Sequence, residues 1–144
     1  MRKLDQRGVA AFEFCLVAVP LFTLMFVIFD LGRYAITTQS LRALANAGAR
    51  ATMVGTAGNA CYTDAAIAKT APTCSGDPLP SDAAKQAVAP FLYTVGGPPT
   101  LNIPAPGAGA TAFTVTASQP NFTMIMPVWG TAFNAPTAST SVPF

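Results

Sequence analysis

The chain has 144 residues, a formal net charge of +2, no histidine and only 10% charged residues, against roughly 25% in an average soluble domain. Such a length holds one small head domain plus one anchor. The composition excludes a polybasic nucleic-acid face, which needs clustered Lys and Arg, and it removes Ser-His-Asp and Cys-His catalysis along with histidine metal sites.

Residues 1–8 are short, polar and basic, with Arg2, Lys3 and Arg7. They look like the start of a secretory signal, but the apolar run behind them exceeds the ~7–15 residues of a signal-peptide core. From Val9 to Phe29 the run is long enough to cross a bilayer as a helix. Its one ionisable carboxylate is Glu13, a group that costs roughly 2–3 kcal/mol or more near a membrane centre. Glu13 therefore asks for a partner. The basic cluster stays cytoplasmic by the positive-inside rule, which sends the remainder of the chain outside the cytoplasm. Pro20 reads as a bend in the span, because membrane helices tolerate proline where neighbours satisfy the freed carbonyl; the alternative is a break between two half-helices.

Beyond Phe29 the helical pattern continues over residues 30–54. Leu41, Leu44, Ala45 and Gly48 recur at three- and four-residue spacing, with Gln39, Arg42, Asn46 and Arg50 interleaved, which is one apolar face of a helix. Ala43, Ala47 and Ala51 lie four apart and permit close approach of another helix; alanine's helix propensity alone explains them equally well. Gly55, Gly58 and Asn59 are helix-ending signals. The head, 55–144, then predicts an alanine-rich turn between Cys61 and Cys74 and a brief helix over 81–88 with Ser81 as N-cap. Three strands follow: 100–103, 112–118 and one near 137–142. They are marked by alternating β-branched and aromatic residues between Gly and Pro clusters. Residues 127–130 fall in the last connection. The expected class is α+β: a long N-terminal transmembrane and extended helix, then a small periplasmic head of a short helix plus antiparallel strands with one apolar face.

Cys61 and Cys74 would lie in a disulfide-permissive compartment. A bridge between them closes a loop of about 15 residues and is worth ~3 kcal/mol in the chain-entropy model. Two unpaired thiols are the alternative, and a metal site lacks further ligands. Cys15 is an apolar filler of the span. Asp64, Asp77 and Asp82 read as turn and cap residues, which leaves Glu13 as the unusual carboxylate. A Ser81–Lys85 pair is the one arrangement that suggests hydrolysis, and Ser81 is better explained as a helix cap. The chain reads as no enzyme and needs no cofactor or metal.

Gly8-Val9-Ala10-Ala11-Phe12-Glu13-Phe14 resembles the processing motif of type IV pilin-like proteins, in which a glycine ends a basic leader and a glutamate follows the cut. Arg7-Gly8, Glu13-Phe14, Leu16-Val17, Pro20, Gly32-Arg33, Leu41 and Ala47-Gly48-Ala49-Arg50 together resemble TadE-like proteins, minor pilins or pseudopilins of the tight-adherence (Flp/Tad) pilus. The resemblance covers roughly the first third of the chain. It departs at Phe14, where the family often has tyrosine. It implies cleavage by a prepilin peptidase between Gly8 and Val9, and an assembly role for Glu13 and Phe14. The partners it implies are the major pilin, other pseudopilins, an inner-membrane platform and a secretion ATPase, with membrane lipid around the span. It places the protein in a bacterial inner membrane, head periplasmic, or in the pilus itself. Cleavage would remove Arg2, Lys3, Asp5 and Arg7, which resist desolvation. It would also create an amine on Val9, one helical turn from Glu13. The competing reading is a signal-anchored periplasmic binding module that no prepilin peptidase cuts.

Overall fold

The computed structural model describes residues 7–54, 61–70, 72–105, 107 and 110–143. Residues 1–6 of the expected leader and the helix-ending signals Gly55, Gly58 and Asn59 lie outside them. The chain is a long helix with a small α+β head built against its C-terminal half. Helix α1 runs Arg7–Val54, 48 residues with Pro20 inside, about 72 Å at 1.5 Å per residue. Pro20 does not divide it into two helices. The helix is long and apolar enough to cross a membrane, and nearly every large side chain of its N-terminal part is exposed.

The head follows as α2 (Cys61–Ala68), α3 (Asp82–Val88), α4 (Pro90–Val95), β1 (Thr100–Asn102), β2 (Ala112–Ser118) and β3 (Thr137–Pro143). The strands form an antiparallel meander in the order β1-β2-β3, with Leu101 opposite Ala117 and Phe113 opposite Val142. The three strands and the 81–88 helix lie where sequence patterning puts them. Two short helices do not. The expected turn after Cys61 is helix α2, and residues after Pro90 form α4, with Pro90 at its first turn, where a missing N–H costs nothing.

Alternation along β2 buries Phe113, Val115 and Ala117 on one face, as period-2 patterning demands. That face meets Leu41, Leu44, Ala45 and Ala49 of α1 in a single core with Leu92, Leu101 and Ile103. The sequence-read stripe is thus the core face of the helix, and Arg42, Asn46 and Arg50 are exposed. Gly48 is a point of closest approach: a Cβ there would sit 2.9 Å from Leu101 Cδ2 and 3.1 Å from both Pro78 Cγ and Val115 Cγ1. Gly76 extends the β1 edge by an isolated bridge to Ile103. Tyr93 ties α4 to α3, its hydroxyl donating to the Asp82 carbonyl at 3.1 Å. Desolvation and the neighbouring Asp82 charge raise its pKa above 10.0.

Candidate processing and assembly site

The segment singled out by sequence lies in the first turns of α1. Gly8 is already helical, with open space around the position a Cβ would take. Glycine lowers helix propensity by about 1 kcal/mol against alanine, so Gly8 weakens the helix at its first turn. Val9 and Glu13 are exposed in the helix one turn apart, on the same face. Phe12 and Phe14 flank Glu13 and are equally bare. A carboxylate on an apolar cylinder can do one thing well: pair with a cation brought to it. Farther along, Thr23 returns its hydroxyl to the Val19 carbonyl at 2.8 Å, next to Pro20, a neutral way of satisfying polar groups inside a span.

Residues 8–50 match the model of the family described as TadE-like protein. This stretch is TadE-like. The match begins at Gly8, spans Glu13 and Pro20, and ends at Arg50, within α1; the strands and short helices lie beyond the TadE-like segment. No curated protein and no solved structure matches the chain. A TadE-like segment implies involvement in the tight-adherence pilus system, and the long apolar helix is compatible with membrane anchoring.

Within the TadE-like segment the structure picks out a second carboxylate that sequence reading missed. Asp30 is 2% exposed. Its oxygens accept the backbone N–H of Ile125 at 3.2 and 3.0 Å and that of Met126 at 3.0 Å, and Arg33 Nη1 lies 3.3 Å from Oδ1. Glu13 is therefore not the chain's one unusual carboxylate. Asp30 ends the apolar run, and its spacing to Arg33 suggests an ordinary helix pair. Nothing local announces a partner ninety-five residues away. Around it stands an aromatic group: Tyr34 packs on Phe133 (5.1 Å between centroids) and Phe122 (6.3 Å), Trp129 on Phe133 (5.5 Å), and the Arg33 guanidinium lies 5.3 Å over Phe122.

The other candidates separate. Cys74 is buried and disulfide-bonded, whereas Cys15 is free and exposed. The Cys61 side chain lies outside the described residues. Ser81 is the N-cap of α3 in extended conformation but makes no side-chain cap bond. Lys85 is buried with its Nζ 2.5 Å from Asp77 Oδ2, so its charge is committed to a structural pair that joins the Cys74 loop to α3. Ala43, Ala47 and Ala51 line an open groove of about 420 Å³ with Asn46, Arg50 and Val54; the small-residue row thus lies beside the core face, not in it.

Proposed function

We propose that the chain is a minor pilin-like component, a pseudopilin, that helps assemble or initiate a tight-adherence pilus. The observation that carries this reading is an exposed Glu13 one turn beyond Val9, at the start of a TadE-like apolar helix. A prepilin peptidase cuts between Gly8 and Val9 and leaves an amine at the head of the helix. Glu13 of the same or a neighbouring subunit then neutralises that amine as the helix leaves lipid for a packed assembly. Breaking such a pair once buried costs on the order of 3–5 kcal/mol. The proposed partners are the peptidase, the major pilin and other pseudopilins, and the inner-membrane platform with its ATPase. The head lies on the periplasmic side, and there Cys61 is the proposed partner of Cys74.

The role is structural, not catalytic. It is supported by the commitment of Lys85 to Asp77, which ties up the lysine of the Ser81–Lys85 pair. N-terminal sequencing of the mature protein tests the reading. A chain beginning at Val9 is the expected result; an intact leader would favour an unprocessed, signal-anchored binding module. Gly8→Leu should abolish the cut, since the peptidase must accommodate the residue before the scissile bond. A mature mass unchanged by that substitution would refute the assignment of the site.

A further inference from the structure

We propose that the loop 122–130 is a membrane-surface foot, on which the head rests with Ile125 and Val128 in the boundary between headgroups and acyl chains. The proposal rests on the membrane-anchoring part of the reading above and not on any role in a pilus.

The starting point is depth. From Val9 to Asp30 the helix rises about 32 Å, close to the roughly 30 Å of a bilayer's hydrocarbon core. Asp30 thus marks the level at which α1 leaves the lipid. Helical side chains lean toward the helix N-terminus, so the Asp30 carboxylate reaches back toward the span. The loop it holds by the Ile125 and Met126 amides is drawn down to the same level. Val27, one turn earlier, is half-covered while Phe26, Ile28 and Phe29 around it are bare. Through the Asp30 clamp the head reaches the last turn of the span.

The second point is what the loop shows at that depth. Ile125 is 72% and Val128 70% exposed, two large apolar side chains left uncovered by the fold. Their backbone is fixed by Asp30, by Met124 N–H donating to Asn134 Oδ1 at 3.2 Å, and by the short 3-10 helix Pro127–Trp129. No Asp, Glu, Lys or Arg occurs from Pro120 to Pro136, and the one carboxylate beneath, Asp30, is buried beside Arg33. Trp129 and Tyr34 stand alongside, the two residue types enriched where membranes meet water. An uncharged loop with bare aliphatic tips, continuous with an apolar span and held at its exit, fits a lipid surface.

The chain's single tryptophan, Trp129, supplies the probe. The full chain is reconstituted in vesicles of phosphatidylethanolamine and phosphatidylglycerol that carry brominated lipids, labelled either near the headgroup or deep in the acyl chain. Insertion of α1 is read separately by protease protection. The expected result is stronger quenching of Trp129 by the shallow label. That quenching should be lost in Ile125→Asp/Val128→Asp and kept in Ile125→Leu/Val128→Leu, with the same melting temperature for all. An inserted helix with no quenching at Trp129 overturns the foot alone, and a helix that fails to insert overturns the span as well. Protection of Trp129 that appears only as protein density in the vesicle rises would assign the patch to protein contact and overturn the lipid assignment.

Discussion

A carboxylate is informative when its surroundings give no simple reason for its charge, and this chain holds two of contrasting kind. Asp30 is buried but provided for: two backbone amides and a guanidinium surround it, and hydrogen bonds to a charged group are worth about 1.5–3 kcal/mol each. Asp30→Asn keeps the shape but sets an amide group against donors that need an acceptor. We expect a loss of about 1.5–3 kcal/mol, read as a lower melting temperature with faster hydrogen exchange at Ile125 and Met126. Unchanged exchange at those two amides would show that the loop is held by its aromatic contacts instead. Glu13 is the reverse case, exposed and without a polar partner among the described residues. Its proposed partner, the Val9 amine, exists only after processing. Glu13→Ala should therefore be cut normally yet fail to enter the assembly, so that mature protein accumulates in the membrane fraction. Unaltered pilus number would count against pairing.

At the scale of elements, α1 has three sides with separate duties above the span: a core face, a small-residue groove and a polar edge. The core face is the least forgiving. A Cβ at Gly48 would sit 2.9 Å from Leu101 Cδ2 and 3.1 Å from Pro78 Cγ and Val115 Cγ1, so all three must shift to admit it, and overpacking of this kind costs about 1–3 kcal/mol. Gly48→Ala should lower the urea midpoint accordingly; an unchanged midpoint would mean the strands yield. This face was legible in sequence because burial on one side of a helix imposes its own period on Leu41, Leu44, Ala45 and Gly48. The strands were legible for the same reason, with Phe113 and Val115 alternating against threonines. Helix α2 was not, because Ala65, Ala66 and Ala68 carry no pattern and its few large residues read as turn. Nor was the Asp30 clamp, since a hydrogen bond to backbone amides leaves no trace in the identity of the residues that donate it. Gly8 and Glu13 stand out in the sequence because each breaks the composition of the run around it.

For the whole molecule, the decisive fact is that the core is shared. Leu41, Leu44, Ala45 and Ala49 belong to the same helix that bears the apolar span, yet they fill the core of the head. A fragment starting at residue 55 would keep all three strands and lose the surface on which their apolar face closes. A sheet with one apolar face must bury that face against another element. We expect fragment 30–144 to melt cooperatively and fragment 55–144 to show no cooperative transition, checked by near-ultraviolet circular dichroism. Cooperative melting of the shorter fragment would mean that the sheet closes on α2–α4 alone. Head and helix then share one core, and Asp30 ties the helix to the head a further turn or more below it.

The hold of Asp30 on the distant loop passes through amide hydrogens and not through side chains, which separates grip from display. Positions 125 and 126 can exchange one side chain for another, altering what the molecule presents at that level, while the clamp stays closed. Only one replacement is refused at both: proline, which has no hydrogen to give. A library of substitutions at these two sites, sorted on head stability, should return nearly every residue type and leave that one out.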